Sequence, residues 1–152
     1  MTGLVILRPD DARQLATLHA QCFDDAWDAA AIRGLLEDSK VLALGVESVG
    51  AIVAFLIAQT VAGETDILTV ATDPAERRKG LASQLIDALI ARAGERGVSR
   101  IMLDVAEDNV AARQLYRDHG FVEDGRRPRY YRAGRDIPVD AILMSRMLGI
   151  AT

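Results

Sequence analysis

The chain has 152 residues, half of them hydrophobic, which is enough for one domain with its own core and too many for a disordered chain. Lys and Arg total 18 against 22 for Asp and Glu, and the net charge of -4 excludes a protein that binds nucleic acid over most of its surface. A single cysteine, Cys22, excludes an intramolecular disulfide, and two histidines are too few for a metal site of histidine and cysteine ligands.

Two features bear on where the protein works. The longest apolar run, residues 51–58, is far shorter than the ~20 residues that a membrane-spanning helix needs. The N-terminal segment reaches Arg8-Pro9-Asp10 too soon for a secretory signal peptide. We therefore expect a cytoplasmic, metal-free protein with a single domain over residues 1–152.

The first third of the chain predicts one strand and two helices. Residues 4–7 form a short apolar run that ends before a proline, which is typical of a strand. Asp10 or Asp11 is expected to cap a first helix, and Asp28 to begin a second one. The apolar faces of the two helices are expected to contain Leu15, Leu18 and Cys22, and Ile32, Leu35 and Leu36.

The middle of the chain predicts three strands in succession. Residues 41–47, 51–60 and 65–72 are rich in β-branched and apolar side chains. Short segments that contain Gly50 and Gly63 separate them, which is typical of hairpin turns. Three consecutive antiparallel strands are the simplest interpretation.

The second half of the chain predicts two helices that alternate with strands. Leucines at positions 81, 85 and 89 recur every fourth residue, so a strong helix is expected there, with Gly97 at its end. A strand over 101–105 follows, and then a shorter helix capped by Asn109. After a loop rich in arginine and tyrosine, an apolar strand over 139–148 is expected. The predicted order is βααβββαβαββ, an α+β fold.

The segment before the strongest helix has the properties of an anion site. It reads Arg77-Arg78-Lys79-Gly80-Leu81-Ala82, and it matches neither the GxGxxG nor the Walker nucleotide-binding pattern. Free N–H groups at a helix N-terminus and the helix dipole favour a phosphate, and a glycine there lets the ligand approach. A solvated basic turn is the alternative interpretation.

A second motif decides between these interpretations. Residues 109–121 fit the pattern N-x-A-A-x-x-L-Y-x-x-x-G-F, about thirty residues after R-x-x-G-x-A. Together the two motifs resemble the GCN5-related N-acetyltransferase (GNAT) family, and the resemblance covers nearly the whole chain. It implies a mixed, mostly antiparallel central sheet flanked by helices. Residues 23–27, 69–74, 127–131 and 140–144 are similar to the RimI branch, which acetylates the N-terminal alanine of a small-subunit ribosomal protein.

The resemblance implies acetyl-CoA as co-substrate and no metal. In the family, the pyrophosphate lies on backbone amides of the R-x-x-G-x-A turn, and the pantetheine arm hydrogen bonds to the strand before it. An asparagine that also caps its helix contacts the arm. The residues that the resemblance places at the coenzyme are Val70, Ala71, Thr72, Arg77, Arg78, Lys79, Gly80, Leu81, Ala82 and Asn109.

The resemblance also implies which residues transfer protons during the reaction. Tyr116 would give a proton to the departing CoA thiolate, which suits a phenol with a reference pKa of about 10, although a buried structural tyrosine is the alternative. The RimI branch usually carries glutamate where this chain has Asp104, whose shorter side chain would act as general base through a water. Asp66 on the preceding strand is the second candidate for the base. Asp104 paired with an arginine is the interpretation without a catalytic role.

Two charged segments are expected to form the acceptor groove. Residues 126–135 contain five arginines, two tyrosines and no acid, and we interpret them as a substrate loop in which Tyr130 and Tyr131 shape the groove. An RNA-binding surface is the less favoured interpretation because the chain is acidic overall. Across the groove, aspartates surround Trp27 and would attract a cationic N-terminal segment. These acids are Asp24, Asp25 and Asp28.

The expected function is therefore transfer of an acetyl group to the N-terminal amine of a protein, in particular a ribosomal protein. An α-amine has a reference pKa near 8 and is more often neutral at pH 7 than a lysine, so it tolerates a displaced base better. DNA and membranes are not expected as partners, and RNA contact is not favoured. The alternatives are acetylation of a small amine or a lysine side chain, and a non-catalytic module that binds acyl-CoA or RNA.

Overall fold

A seven-stranded sheet with helices on both faces forms the frame of the computed structural model, which describes residues 2–149. The strands are β1 Thr2–Ile6, β2 Val41–Ser48, β3 Ala51–Val61, β4 Glu64–Thr72, β5 Arg100–Ala106, β6 Val122–Tyr131 and β7 Val139–Met147. The helices are α1 Ala12–Cys22, α2 Ala29–Leu36, α3 Leu81–Glu95 and α4 Val110–Asp118, with 3-10 turns at Pro9–Asp11 and Pro74–Glu76. The predicted order βααβββαβαββ and the α+β class are confirmed.

The sheet contains one parallel pair, and this pair comes apart partway along its length. The strand order is β1-β2-β3-β4-β5-β7-β6, and of the neighbouring strands within residues 2–149 only β4 and β5 run parallel. Their pairing runs from Glu64–Arg100 to Ile67–Leu103, whereas β4 continues to Thr72 and β5 to Ala106. The two strands therefore leave an opening between their C-terminal halves.

A β-bulge lies where the two strands separate. Between β3 and β4 the register passes from Ile57–Thr69 to Ala58–Ile67, so Leu68 is an extra residue on β4. Bulges bend a strand and redirect its side chains, and they are frequent next to active sites. The bulge and the opening together place the C-terminal half of β4 beside a cavity.

Two apolar clusters hold the helices on opposite faces of the sheet. One contains Leu85 and Leu89 of α3 with Leu56 of β3, and the other contains Leu15 of α1 with Phe55 of β3. Because both faces of β3 are covered, its residues 52–58 are all buried, which accounts for the long apolar run in the sequence. No helix among residues 2–149 is long and apolar enough to cross a membrane.

The caps of α2 and α4 are confirmed. The Asp28 Oδ1 atom accepts a hydrogen bond from the Ala31 N–H over 2.8 Å, and Asn109 Oδ1 accepts one from Ala112 over 3.2 Å. Each side chain satisfies a backbone donor that the first turn of a helix leaves free. Gly97 ends α3 with φ of 74°, as its position in the sequence predicts.

Asp11 is the N-cap residue of α1, as expected, but its side chain makes no capping hydrogen bond to the helix. The chain first makes a 3-10 turn, and the Asp11 carboxylate accepts a hydrogen bond from the Arg8 N–H over 2.7 Å rather than from the helix. Asp10 lies 3.3 Å from Arg33 of α2. Pro9 begins a 3-10 turn that ends at Asp11, so the acids belong to this turn and α1 begins only at Ala12.

The loop expected over residues 126–135 is largely a strand. β6 extends to Tyr131, so the connection to β7 is residues 132–138, and β7 ends at Met147. β6 is an edge strand with almost every residue exposed, so it has no alternation of apolar and polar side chains. That alternation is what identifies a strand in a sequence, and its absence explains the error.

Candidate active site

The opening between β4 and β5 is a cavity of about 880 Å³. Eleven of the twelve predicted site residues line it, from the coenzyme set as well as the catalytic pair. They are Val70, Ala71, Thr72, Arg77, Arg78, Gly80, Leu81, Ala82, Asp104, Asn109 and Tyr116. Residues far apart in the sequence therefore converge on one cleft, as the two motifs predict.

The N-terminus of α3 forms one end of this cavity. Gly80 precedes the helix with φ of 77°, a conformation that favours glycine, and a Cβ there would meet open space. Arg78 also adopts a left-handed φ, of 67°, a strained state that concentrates at functional sites. The free N–H groups of a 15-residue helix and two arginines give this end a positive potential. It fits a phosphate.

Lys79 lies apart from the rest of the motif. It is absent from the lining of the cavity, and its Nζ is 2.6 Å from Glu76 Oε2. The two other cations of the turn, Arg77 and Arg78, line the cavity. In this structure Lys79 is therefore paired with Glu76 rather than part of the cavity lining.

Ser83 is a cavity residue that the sequence interpretation missed. Its Oγ lies 2.8 Å from His119 Nε2, and His119 Nδ1 lies 3.0 Å from Asp87 Oδ1. This chain of contacts ties α3 to the C-terminal end of α4. Ser83 follows Gly80 by three residues, so the helical period was the available indication that both face the same side.

The strand side of the cavity is formed by the end of β4. Its residues Val70, Ala71 and Thr72 pair with β3 on one edge, whereas the recorded pairing of the other edge with β5 ends at Ile67. Cys22 reaches this strand from α1 and donates from Sγ to the Thr72 carbonyl over 3.2 Å. The cysteine packs against the core as expected, but it also lines the cavity.

Tyr116 lies deep in the same cavity. It is 7% exposed, and its ring meets Phe121 edge to face with centroids 5.7 Å apart. Burial, and then the proximity of Tyr131, raise the pKa of Tyr116 to about 12. Within the described residues no side-chain hydrogen bond involves its hydroxyl. The phenol is therefore a neutral donor that is free to bind a ligand.

A second cavity, of about 430 Å³, adjoins the first. The segment between α1 and α2 and the end of β6 supply aromatic rings to it, and three carboxylates face it. Its lining includes His19, Phe23, Asp25, Trp27, Asp66, Asp104, Tyr130, Tyr131 and Arg132. We call this second cavity the acceptor groove. Asp104 lines both cavities, so ligands in the two would meet beside it.

The two carboxylates at the junction influence each other. Asp66 lies opposite Met102 in the parallel pair, two residues before Asp104 on β5. Burial raises the pKa of Asp66, and the negative charge of Asp104 raises it further, while Arg127 lowers it. Arg127 lies 3.9 Å from Asp104, a long contact between side chains that are both partly exposed. The two neighbouring carboxylates, Asp66 and Asp104, can therefore accept a proton at the junction of the cavities.

Only part of the expected charged walls faces the acceptor groove. Of the acids around Trp27, Asp25 lines it, Asp28 caps α2, and Asp24 lies against Gly134. Tyr130 and Tyr131 line it as expected, and burial followed by the charge of Asp104 raises the pKa of Tyr131 to about 12.

Most of the arginines of residues 126–135 are paired with acids instead. Arg126 lies 2.9 Å from Asp140, and Arg135 lies 2.9 Å from Asp108. Of the five, Arg132 is the one that lines the groove in the described chain. The pairing with acids weakens this segment as a cationic surface. Within residues 2–149 no cluster of three or more metal-ligating side chains occurs.

A family model for the acetyltransferase (GNAT) family matches residues 10–121. The chain belongs to the GNAT family. The match contains the turn that begins at Arg77 and the motif that begins at Asn109, so the resemblance drawn from these motifs is confirmed. The prediction of an acyltransferase is confirmed at the level of the family.

Similar proteins agree with this membership. The chain is 35% identical over 147 residues to N-alpha-acetyltransferase RimI of Mycobacterium tuberculosis, with 91% of this chain and 88% of that protein covered. A Mycobacterium leprae protein is 36% identical over 146 residues, 92% of this chain, which spans 39% of that longer protein. The crystal structure of the Escherichia coli ribosomal-protein-S18-alanine N-acetyltransferase superposes with a TM-score of 0.94 at 28% identity. It covers 100% of this chain and 97% of that one.

Proposed function

We propose that this protein transfers the acetyl group of acetyl-CoA to the N-terminal α-amine of a protein, the alanine of a ribosomal protein in particular. The observation that carries the proposal is the meeting of two cavities at Asp104. One has a phosphate-binding helix terminus at its far end, and the other has carboxylates that suit an amine. The names of the similar proteins support the choice of acceptor.

The first cavity fits acetyl-CoA, the acyl donor that the GNAT family uses. Gly80 leaves open space before the helix N-terminus, so the turn would hold the pyrophosphate. The free edge of β4 would hydrogen bond to the pantetheine arm, and Asn109 would contact it from the start of α4. Acetyl-CoA supplies the thioester carbonyl that the amine attacks, and a backbone N–H of β4 would polarise it.

Asp104 is proposed as the general base. It lies at the junction of the two cavities, where an incoming ammonium must lose a proton before it can attack. An α-ammonium has a reference pKa near 8, so about a tenth of it is already neutral at pH 7. A carboxylate that acts through a water molecule therefore has a smaller barrier to overcome than with a lysine. Asp66 lines the same groove, and burial together with the charge of Asp104 raises its pKa, so it is the second candidate for the base. It would share the proton with Asp104.

Tyr116 is proposed as the donor to the departing thiolate. A thiol has a reference pKa near 8.5, well below the pKa of about 12 that burial gives Tyr116. The phenol therefore stabilises the thiolate first by a hydrogen bond. After attack, the amine nitrogen carries one more proton than the amide product needs. That second proton is released as the C–S bond breaks, and it balances the proton that the thiolate takes up to leave as the thiol. Tyr116 thus acts late, on the leaving group.

The acceptor groove suits an amine at the end of a peptide. Its floor carries Asp66 and Asp104, Asp25 adds a third carboxylate, and tyrosines and Trp27 form the walls. Negative charge recognises an ammonium, and aromatic walls accommodate a small side chain and extended backbone.

A peptide panel tests the proposal. The protein is incubated with acetyl-CoA and with peptides that begin with Ala, with the same peptides blocked at the N-terminus but containing a lysine, and with small amines. CoA release is expected with the free Ala terminus alone. Turnover of the blocked, lysine-containing peptide would establish a lysine acetyltransferase instead. Coenzyme binding without turnover of any acceptor would establish a non-catalytic module.

A further inference from the structure

His19 joins two sides of the acceptor groove, yet neither the proton transfers nor the coenzyme contacts require it. It lies in the last turn of α1 and is 3% exposed. The Trp27 backbone N–H donates a hydrogen bond to its Nδ1 over 3.1 Å. Its Nε2 lies 3.1 Å from Oγ1 of Thr69, a buried residue of β4.

These contacts determine the protonation state of the ring. Because the Trp27 N–H is a donor, Nδ1 must be the unprotonated nitrogen, and the proton of the neutral ring is then on Nε2, which donates to Thr69 Oγ1. A second proton would lie on Nδ1 and face the Trp27 N–H. The imidazolium form is therefore incompatible with this hydrogen bond.

The ring also separates two aromatic side chains of the groove. It stacks on Phe23 with centroids 4.4 Å apart and on Trp27 with centroids 4.9 Å apart. The loop of residues 23–28 connects α1 to α2, and its Phe23 and Trp27 N–H groups donate to the His19 carbonyl and the His19 ring, respectively. The imidazole thus sets both the position of the loop and the spacing of its rings.

We propose that His19 is a positioning residue for the acceptor, whose neutral ring holds Trp27 and Phe23 as one wall of the groove and whose protonation releases that wall. The acceptor's identity rests on the proposed function, whereas the switch is a property of the free chain. It keeps the groove formed at neutral pH and opens it in acid.

The surroundings of His19 agree with a neutral ring at pH 7. Burial lowers the pKa of His19 below its ordinary value, and the charge of Asp25 in the same loop raises it in part. From the sheet, Thr69 of β4 and Phe55 of β3 face the ring, and neither titrates. The other charged groups of the groove are Asp66, Asp104 and Arg132.

Fluorescence of the chain's single tryptophan, Trp27, tests the switch without substrate. Between pH 8 and 5 the wild-type emission is expected to change with one midpoint below about 6.5. His19→Asn offers an oxygen to the Trp27 N–H but does not titrate, so the folded variant should lose the transition. His119→Asn, the matched control on the other histidine, should keep it. A transition that persists in folded His19→Asn would overturn the proposal.

Asp25→Asn provides a second test that leaves the ring in place. Removing the negative charge should move the fluorescence midpoint to lower pH, because Asp25 favours the protonated ring. Far-UV circular dichroism reports that each variant is folded. An unchanged midpoint, or a shift to higher pH, would contradict the assignment even if His19→Asn did not fold.

Kinetics with a peptide that begins with Ala connects the switch to the acceptor. Below the midpoint the wild-type KM for the peptide should rise several-fold relative to folded His19→Asn, while the KM for acetyl-CoA changes alike in both. Protonation of the acceptor amine affects both proteins equally and cancels in the ratio. Equal peptide KM values at every pH would refute a positioning role. If no peptide is acetylated while the fluorescence transition follows His19, the proposed function fails and the switch stands.

Discussion

Tyr116 lines the cavity between β4 and β5, its ring packs on Phe121, and a pKa of about 12 keeps its hydroxyl protonated at every pH below about 10. The raised pKa makes the phenol a weaker acid than the departing thiol, so it donates a hydrogen bond to the thiolate before any proton is transferred. The same burial that makes the residue look structural therefore also suits it to the leaving group.

Replacing Tyr116 by Phe separates these two roles. Turnover should fall by about 100-fold, the lower end of the range for loss of a general acid, with little change in coenzyme affinity. Stability should be unchanged or slightly higher, because no hydrogen bond of the hydroxyl to a described side chain is lost. Single-turnover rates, coenzyme titration and thermal unfolding measure the three quantities. Full activity in a folded variant would remove Tyr116 from the mechanism.

The carboxylates at the junction give a prediction in which activity and stability change in opposite directions. The folded-state pKa of Asp66 is raised, so the fold favours its protonated form, and stability is lost as pH rises above its ordinary range through the raised value. Asp66→Asn should therefore increase the free energy of unfolding at pH 7 while it lowers turnover. Denaturant unfolding at pH 4 and pH 7 should show the gain at pH 7 only.

Asp104→Asn is the matched variant at the same junction. Loss of the Asp104 charge lowers the pKa of Asp66, so the acidic limb of kcat should move to lower pH while the maximal rate falls. Comparing pH–rate profiles of the two variants distinguishes the base from its neighbour. If Asp104→Asn retains full activity and its profile is unmoved, the base must be assigned elsewhere.

Among the helices and strands, the features that the sequence predicts depend on residues close together in the chain. The features that it does not predict depend on the pairing of neighbouring strands. The caps at Asp28 and Asn109 follow from side chains that bond within three residues, and β3 follows from an uninterrupted apolar run. The predicted order includes a strand at the place of β6, but its residues were assigned to a loop because an exposed edge strand carries no apolar alternation. The bulge at Leu68 arises only from the register of β4 against β3.

The candidate site divides in the same way. The turn at Gly80 and the start of α4 were found because each is a contiguous motif, and the family resemblance assigned their partners. The contacts of His19 with Trp27 and Thr69 could not be found, since Thr69 lies 50 residues away on another element. A lone histidine in an amphipathic helix carries no sign of such a partner.

The loop of residues 23–28 and the loop of residues 132–138 flank the acceptor groove and meet at Gly134. This contact gives a prediction about the position of a whole loop. Gly134 has φ of 69°, and a Cβ there would collide with the Asp24 carboxylate. Gly134→Ala should cost about 1 to 2 kcal/mol and raise the peptide KM several-fold, because residues 132–138 must move from the α1–α2 loop. The KM for acetyl-CoA should stay unchanged.

Gly34→Ala is the control for that substitution. Gly34 lies inside α2, and a Cβ there would contact nothing within 4 Å. Alanine should stabilise the helix by about 0.5 to 1 kcal/mol without an effect on either KM. Thermal unfolding measures the stability of the two variants, and initial rates measure their KM values. Equal peptide KM values in both would show that the Gly134 contact does not shape the groove.

At the scale of the whole molecule, the sheet is weakest where the site is. β4 and β5 are joined by four register pairs, from Glu64–Arg100 to Ile67–Leu103, and the cavity occupies the rest of their length. On one side lie β1 to β4, and on the other lie β5, β7 and β6. A ligand between the two strands replaces the missing ladder contacts. The coenzyme is therefore expected to act as a structural link as well as a substrate.

This link predicts a large effect of coenzyme on thermal stability. At 100 times its Kd, a ligand that binds only the folded state adds about 2.7 kcal/mol, which corresponds to a rise in Tm of roughly 5 to 11 °C for a chain of this size. Hydrogen exchange of the amides of Val70 and Thr72 should slow at the same time, because alternate N–H groups of β4 point away from β3, to the edge that the cavity leaves unpaired. An Ala-starting peptide alone, which binds in the acceptor groove, should protect these amides far less. If coenzyme raised Tm without slowing exchange in β4, it would bind elsewhere, and the cleft between β4 and β5 would not be its site.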